Sequence, residues 1–249
     1  MKSVIKNGRA KLASAPIYFG AAVRGPMHKN SGKPCEDFWR GRSVGDTTAI
    51  SISDGMGSKP FAAIGARSAC TSAIRAARLW AKATDVGPDW VCRWLEAQWR
   101  FSVAPHPPKQ CATTCHLIAS HKKAGLMYAG LGDGMALFQQ GKKNVQCLST
   151  RPFGNFANET LGLGVDHRMT DWYHVRLPLS KEPWIAVLVT DGIADDLRPE
   201  KLDAFIKWLR SDIAGKPKAE QSTTLRRALR EWPTPGHLDD KTVAVILSH

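Results

Sequence analysis

The order of the apolar segments constrains the fold more than any other feature of this chain. Strand-like segments come first, two helical segments follow, and then a long run of short strands, two more helices and a closing strand. A parallel sheet would need strands and helices in alternation, and this chain groups them instead. The order therefore predicts an α+β fold in which helices and antiparallel strands form separate layers.

The individual segments follow from residue periodicity and from glycine and proline breaks. Apolar residues at helical spacing predict helices at 61–83, 90–101, 200–213 and 223–232. Short β-leaning runs predict strands at 18–23, 38–42, 48–53, 115–120, 126–129, 135–139, 145–148, 174–177, 184–190 and 242–247. Glycine and proline between residues 25 and 34 predict a long loop there.

Length and apolar content bound the class of protein. The 249 residues fit one large domain or two small ones. Because no linker is long enough to divide the chain, we expect a single domain over 1–249 with residues 1–15 as a loose tail. The longest apolar run, 184–189, is far below the roughly 20 residues that span a bilayer. The basic residues near the start precede no apolar block of the kind found in signal peptides. With six scattered cysteines, these features predict a cytoplasmic protein with reduced thiols and no membrane partner.

The chain is basic, with 35 lysines and arginines, 22 aspartates and glutamates, and a net charge of +13. Such a field attracts phosphates, nucleic acids or acidic proteins. The basic residues are spread from Lys2 to Lys241 without a nucleic-acid-binding motif, so we expect a solvated basic surface and no specific nucleic-acid partner. Cys111, Cys115 and His116 lie close together, but their spacing is not that of usual zinc ligands.

Acidic residues next to glycine stand at the ends of several predicted strands. The acidic pairs and Asp-Gly steps are Glu36-Asp37, Asp54-Gly55, Asp133-Gly134, Asp191-Gly192 and Asp239-Asp240. A single Asp-Gly is typical of a turn. If these strands share a sheet edge, however, the carboxylates converge, and their mutual repulsion favours a cation between them. Divalent ions such as Mg²⁺ and Mn²⁺ prefer oxygen ligands, so the pattern predicts a metal site.

The joint order of these motifs resembles the metal-dependent protein phosphatases of the PP2C type. Each motif is short, and the resemblance rests on their order from about Phe19 to the C-terminus. The motifs are Glu36-Asp37, Asp54-Gly55-Met56-Gly57, Ala112-Thr113-Thr114, Gly132-Asp133-Gly134, Asp191-Gly192-Ile193-Ala194-Asp195 and Asp239-Asp240-Lys241-Thr242. The opening segments 20–28 and 32–37 resemble a bacterial branch of that family. The resemblance implies a four-layer αββα sandwich, in which two packed antiparallel sheets are flanked by helices.

The resemblance also implies a centre of two Mn²⁺ or Mg²⁺ ions, with a weaker third ion in some relatives. Carried over by motif, Asp54 bridges both ions and the Gly55 carbonyl helps to hold one. Glu36 serves the second ion, and Asp37 supports it directly or through water. These assignments come from the matched motifs alone.

The remaining metal ligands come from the C-terminal motifs. By resemblance, Asp191 and Asp239 complete the first site, and Asp133 with Asp191 would hold the third ion. Thr242, three residues after Asp239, sets the register on Asp239. Asp240 stands where many relatives have asparagine.

The implied activity is hydrolysis of phosphoserine and phosphothreonine by a metal-activated water, without a covalent enzyme intermediate. The implied partners are a phosphorylated protein substrate and a cognate serine/threonine kinase. A basic side chain should hold the phosphate, and Arg24 is the first candidate and Lys33 the second. Arg24 fits a plain surface role equally well.

One position departs from the family pattern. Some relatives carry a histidine, proposed as the proton donor, directly after the first Asp-Gly, where this chain has Met56. His28 is a candidate substitute general acid, and it is also a candidate for orienting its loop by hydrogen bonding. Metal-bound water is a third source of the proton. The variable segment 149–171 is expected to influence substrate choice, although Phe153, Phe156 and Leu161 fit simple packing as well.

Two other classes of function stay open at this stage. A binding or regulatory module could retain the fold without turnover, which would require a lost metal ligand, and the principal ligands are all present. A metal-dependent nuclease is favoured only by the basic charge.

Overall fold

In the computed structural model, residues 15–149, 161–232 and 238–249 are described. Within these ranges, ten strands form two antiparallel five-stranded sheets. The first sheet has the order β1-β10-β9-β6-β7, comprising Ile17–Val23, Lys241–Leu247, Trp184–Val189, Met135–Gln140 and Gln146–Cys147. The second has the order β2-β3-β4-β5-β8, comprising Asp37–Val44, Thr47–Asp54, Cys115–His121, Gly125–Leu131 and Tyr173–Leu177. Residues 1–14 of the expected N-terminal tail and 150–160 of the 149–171 segment, including Phe153 and Phe156, lie outside the described residues.

The two sheets pack face to face, and helices cover their outer faces. An inner core that includes Ile50, Ile118 and Leu188 fills the space between the sheets. Leu117 and Ala119, on the alternate positions of β4, face outward toward the helical core instead. Two helices, α2 (Ala62–Trp80) and α3 (Pro88–Val103), cover the second sheet. The sequence's prediction of an α+β four-layer sandwich is therefore confirmed.

The first sheet is covered by α5 (Leu202–Trp208) and α6 (Lys218–Arg230). The predicted helix at 200–213 is divided in the structure. A 3₁₀ turn at Pro199–Lys201 precedes α5, and a π turn at Leu209–Ile213 follows it. The predicted helix at 223–232 begins five residues earlier, directly after Pro217. Pro217 is the N-cap residue and has extended backbone, with ψ of 140°, so the helical conformation begins at Lys218.

The predicted loop between residues 25 and 34 contains a short helix, α1 (Pro26–Asn30), and this part of the prediction is wrong. Pro26 occupies the first helical position, which tolerates the missing N–H. A five-residue helix carries no periodicity that a sequence pattern could detect. It buries His28 and turns it toward the acidic end of the sandwich.

Strand register brings the acidic strand ends to one end of the sandwich. Asp37 at the start of β2 pairs directly with Asp54 at the end of β3. In the other sheet, Val189 at the end of β9 pairs with Val243 near the start of β10. Asp191 follows the end of β9 and Asp239 precedes the start of β10. Because the two strands are antiparallel neighbours, both acids lie at the same end of the sheet. No helix among the described residues has the length and apolarity needed to cross a bilayer.

Candidate metal centre

A cavity of about 360 Å³ opens at this acidic end of the sandwich. Four of the predicted metal-ligating carboxylates line it, together with the Gly55 backbone. These four are Asp54, Asp133, Asp191 and Asp239. One carboxylate oxygen from each of Asp54, Asp133 and Asp191 lies within 4.8 Å of the other two, close enough to share an ion. We call this the acidic cavity.

The Ala112-Thr113-Thr114 motif holds Asp54 in place. The Asp54 backbone N–H donates to Thr114 Oγ1 at 2.9 Å, and Thr113 Oγ1 donates to the Asp54 carbonyl at 2.7 Å. The next amide, of Gly55, donates to the Glu36 carbonyl at 3.1 Å. The backbone on both sides of the Asp54 side chain is therefore fixed, and the carboxylate is left to face the cavity.

Asp191 is the first residue of a short helix, α4 (Asp191–Ala194), that directly follows β9. Its Oδ1 accepts the Gly192 N–H at 2.7 Å. Asp133 lies in the turn between β5 and β6, after Gly132, which has φ of +107°. That conformation favours glycine and turns the chain so that Asp133 reaches Asp191 and Asp54.

Glu36 and Asp37 are buried beside the Asp54-Gly55 segment and do not line the acidic cavity. The buried Asp37 carboxylate accepts a hydrogen bond from Thr190 Oγ1 at 2.8 Å. The buried Glu36 Oε2 accepts no hydrogen bond from the described residues, and its near neighbour is His28 Nε2 at 3.5 Å. A buried carboxylate oxygen without a donor is costly unless an ion satisfies it.

Asp240 organises the site without lining it. Its Oδ1 accepts the Gly25 N–H at 2.7 Å, and its Oδ2 accepts the Glu36 N–H at 2.6 Å and His28 Nδ1 at 2.9 Å. Asp240 is buried and does not line the acidic cavity, although one of its carboxylate oxygens lies within 4.8 Å of an oxygen of Asp239 and a ring nitrogen of His28. Sequence reasoning missed this role, and the signal available was the second acid of the Asp239-Asp240 pair.

The electrostatics of the cluster favour a bound cation. Burial raises the pKa of Asp54 and Asp37 well above the usual range, and repulsion from the neighbouring aspartates raises them further. Burial, with repulsion from Asp133 and Asp239, raises the pKa of Asp191 to about 7. Burial also raises the pKa of Glu36. Divalent cations would remove this repulsion, and the all-oxygen donor set suits Mg²⁺ or Mn²⁺. The residues present therefore fit the implied metal centre.

The two candidate phosphate clamps lie at different distances from the cluster. Lys33 Nζ donates to the Gly57 carbonyl at 2.7 Å and lies 4.0 Å from Glu36 Oε1. Arg24 is exposed, does not line the acidic cavity, and donates from Nη1 to the Lys33 carbonyl at 3.2 Å. Lys33 therefore brings its charge to the rim of the site, and Arg24 contacts the same loop from outside. The assignment of Arg24 to phosphate binding stays a prediction.

His28 and Met56 both line the acidic cavity. His28 Nδ1 is occupied by Asp240, so only Nε2 is left to exchange a proton. Met56 has no proton to donate, and its methyl end lies against Gly162. The proton donor therefore stays a choice between His28 and metal-bound water, as the sequence left it.

Two of the residues considered for a zinc site, Cys115 and His116, have other roles in the fold. His116 bonds to the Tyr128 hydroxyl at 3.0 Å through Nδ1, and its Nε2 accepts the Gly134 N–H at 3.1 Å. Cys115 is buried in the outer core of the second sheet. His116 therefore supports the turn that carries Asp133.

Comparison with known protein families gives a match over residues 24–232 to the model described as protein phosphatase 2C. The chain belongs to the protein phosphatase 2C family. The match spans most of the chain, including Glu36, Asp54, Asp133 and Asp191. Comparison with curated proteins finds no match.

Solved structures of PP2C-type proteins share the fold at low sequence identity. The PPM Ser-Thr phosphatase MsPP of Mycobacterium smegmatis, solved with cacodylate, is 17% identical, with a TM-score of 0.56 over 94% of this chain and 99% of that chain. The catalytic domain of the phosphatase PstP, solved with two manganese ions, is 18% identical, with a TM-score of 0.57 over 94% and 98%. The photosystem II phosphatase PBCP is 15% identical, with a TM-score of 0.62 over 93% and 98%. PP2C-type phosphatases depend on metal ions, which agrees with the acidic cavity of this family member.

Proposed function

We propose that this protein is a phosphoprotein phosphatase that hydrolyses phosphoserine and phosphothreonine and depends on Mn²⁺ or Mg²⁺. The observation that carries the proposal is the convergence of strand-end carboxylates on one cavity, centred on Asp54, in a chain of the protein phosphatase 2C family. The proposed ligands for two ions are Glu36, Asp37, Asp54, the Gly55 carbonyl, Asp191 and Asp239, and Asp133 with Asp191 would hold a third.

When bound, the two ions supply a water that is activated for attack on phosphorus and positive charge for the phosphoryl oxygens. The protein holds the carboxylates in place through the hydrogen bonds to Thr113, Thr114 and Thr190. This preorganisation means that the ligands need little rearrangement when an ion binds.

The basic loop above the cavity supports phosphate binding. Lys33 places its ammonium group beside Gly57 and Glu36, at the mouth of the site. A phosphate dianion entering the mouth would meet this charge, and Arg24 can add to it because it is attached to the same loop. We assign Lys33 the direct role and Arg24 a supporting one.

His28 orients the loop in this proposal. Its hydrogen bond to Asp240 connects α1 to the segment before β10, and its Nε2 faces Glu36. The competing role of His28 is to donate a proton to the leaving serine or threonine oxygen. The two roles can be distinguished, because each predicts that different His28 variants retain activity.

The biological setting is part of the same proposal. The substrate is a phosphorylated protein, a serine/threonine kinase supplies it, and both act in the cytoplasm. The open acidic cavity, flanked by the exposed loop residues Gly57 and Ser58, could admit a phosphorylated side chain from a protein surface.

Phosphate release from synthetic phosphopeptides tests the proposal. The wild-type protein should hydrolyse phosphoserine and phosphothreonine peptides only with Mn²⁺ or Mg²⁺ present, and a phosphotyrosine peptide more slowly. Asp54→Asn should reduce turnover by at least a hundredfold. Asp203→Asn is the matched control, because Asp203 is exposed on α5, outside the acidic cavity.

The alternatives give different results in the same assay. Metal-independent or absent turnover, with retained phosphopeptide binding, would replace the proposal with a regulatory module. Cleavage of nucleic acid that is lost in Asp54→Asn would indicate a nuclease instead.

A further inference from the structure

A second cavity, of about 270 Å³, lies at the opposite end of the second sheet. We call it the distal cavity. Thr47 at the start of β3 lines it, whereas Asp54 at the end of β3 lines the acidic cavity. At about 3.3 Å per residue, the two ends of β3 are roughly 23 Å apart. The distal cavity is therefore separate from the candidate metal centre.

Strand register builds one wall of the distal cavity. Thr47 pairs with Val44 on one side and with His121 on the other, and Ala49 pairs with Arg42. Directly paired residues project to the same face of a sheet, and so do residues two apart on one strand. All five side chains therefore project to the face that α2 covers.

The other wall is the C-terminal end of α2. Ile74 and Ala77 contribute apolar surface, and Ala81 lies just beyond the last helical residue. The small side chains of Ala49, Ala77 and Ala81 leave the space between helix and sheet unfilled. The result is an apolar floor with an open mouth.

Cationic groups surround that floor. Arg42 comes from the edge strand β2, Arg78 from the last turn of α2 and Lys82 from the turn that follows α2, and all three line the cavity near the protein surface. The only carboxylate among the lining residues is that of Asp46, and Lys122 Nζ lies 3.1 Å from it. The sequence from residue 55 to residue 84 contains no aspartate or glutamate at all. The positive charge at this mouth is therefore largely uncompensated.

One polar group in the wall is available to a ligand. The Thr47 hydroxyl is buried within the wall and has no hydrogen-bond partner among the described residues, so the available group is the ring of His121. His121 Nδ1 accepts the backbone N–H groups of Lys123 and Ala124 at 3.2 and 3.3 Å. The neutral ring therefore carries its proton on Nε2, which leaves a donor.

We propose that the distal cavity binds a small organic phosphate, with its apolar body on the alanine floor and its phosphate between Arg42, Arg78 and Lys82. The volume lies just below the roughly 300 Å³ of the smallest typical ligand sites, so the ligand is limited to about one ring or a short chain. The combination of an apolar floor with three cationic side chains lining one cavity distinguishes this site from a uniformly solvated basic surface. The proposal does not depend on the function proposed for the acidic cavity.

Ligand-observed NMR titration with phenylphosphonate tests this site. Phenylphosphonate has an apolar ring and a phosphate-like head, and its P–C bond is not a phosphoester. In the whole chain with Mg²⁺, Arg42→Gln and Arg78→Gln should each weaken binding at least fivefold. Ala81→Leu should weaken it similarly by filling the floor. Arg226→Gln, which removes the same charge from the exposed face of α6, should change it less than twofold.

Two further arms separate the distal cavity from other anion sites. Distal binding should persist in Asp54→Asn, which disables the acidic cavity. Methylphosphonate, which lacks the ring, should bind at least fivefold more weakly than phenylphosphonate. If Arg42→Gln and Arg78→Gln weaken binding no more than Arg226→Gln, or if the two phosphonates bind equally, the cavity is ordinary basic surface and the proposal is wrong. The melting temperature of each variant verifies that it is folded.

Discussion

Asp240 Oδ2 accepts a hydrogen bond of 2.9 Å from Nδ1 of His28, which lies 212 positions earlier in the chain. The same oxygen accepts the Glu36 N–H at 2.6 Å. One buried carboxylate therefore joins helix α1, the segment before β2 and the segment before β10. These three pieces carry or flank the predicted ligands Glu36, Asp37 and Asp239, so the shape of the site depends on a residue that does not line it.

Removal of the Asp240 carboxylate should destabilise the protein. Asp240→Ala leaves the buried N–H groups of Gly25 and Glu36 without an acceptor, at a cost of about 1–3 kcal/mol for each buried donor. Asp240→Asn keeps one acceptor oxygen and should lose less. A double-mutant cycle with His28→Ala, measured by urea unfolding, should give a coupling of about 1–3 kcal/mol. Additive effects of the two changes would show that the hydrogen bond contributes nothing.

The two roles open to His28 predict different activities for the variants His28→Asn and His28→Ala. The amide introduced by His28→Asn can still donate to Asp240 but has no proton at the Nε2 position, whereas His28→Ala loses both groups. If His28 orients the loop, kcat for a phosphoserine peptide should fall less than threefold in His28→Asn and more than tenfold in His28→Ala. Equal losses in both variants, together with a changed pH profile, would make His28 the proton donor instead.

Stability of the metal-free protein should depend on pH through Asp191. Its pKa in the folded protein is raised to about 7, above the usual aspartate value of about 3.9. Between these values the folded state binds more protons than the unfolded state, so stability falls as pH rises. In EDTA, the melting temperature of the wild type should therefore fall relative to that of Asp191→Asn between pH 5 and pH 8.

Addition of Mg²⁺ at pH 8 should reverse that loss in the wild type and have a smaller effect in Asp191→Asn. A constant difference in melting temperature from pH 5 to pH 8 would show that Asp191 ionises in the folded protein as it does in the unfolded chain.

The contact between α2 and the 3₁₀ turn at Pro108–Cys111 should tolerate no side chain at Gly65. A Cβ at this position would lie 1.8 Å from the Cys111 carbonyl oxygen, and the Gly65 carbonyl accepts the indole N–H of Trp99 at 3.1 Å. Gly65→Ala should therefore destabilise the protein by about 1–3 kcal/mol. Ser68→Ala, one turn further along α2, is the control and should stay within about 0.5 kcal/mol. Chemical denaturation of both variants checks the difference, and equal stabilities would mean that the backbone can move apart at no cost.

Much of the fold was predictable because the local signals and the tertiary structure agree. The hairpin of β2 and β3 turns at Gly45 and Asp46, between the predicted strands 38–42 and 48–53, and Gly45 has φ of +57°. The α1 helix was not predictable, because its five residues are stabilised by contacts such as that of His28 with Asp240 rather than by local periodicity.

The candidate site likewise has residues that the sequence predicted and a residue whose role it could not predict. Asp54, Asp133, Asp191 and Asp239 could be proposed because an acid before or after a strand has a recognisable local pattern, and the structure brings these four to one cavity. The hydrogen-bonding role of Asp240 could not be predicted, because it depends on donors that are distant in sequence. The distal cavity depends in the same way on the register of three strands.

Calorimetric titration of the metal-free protein with Mn²⁺ tests the central claim most directly. The wild type should bind at least two Mn²⁺ ions per chain. Asp54→Asn, which removes the proposed bridging carboxylate, should bind fewer than one at the same concentrations, while Asp203→Asn should match the wild type. A wild-type protein that binds no Mn²⁺, or an Asp54→Asn variant that binds it equally well, would contradict the account.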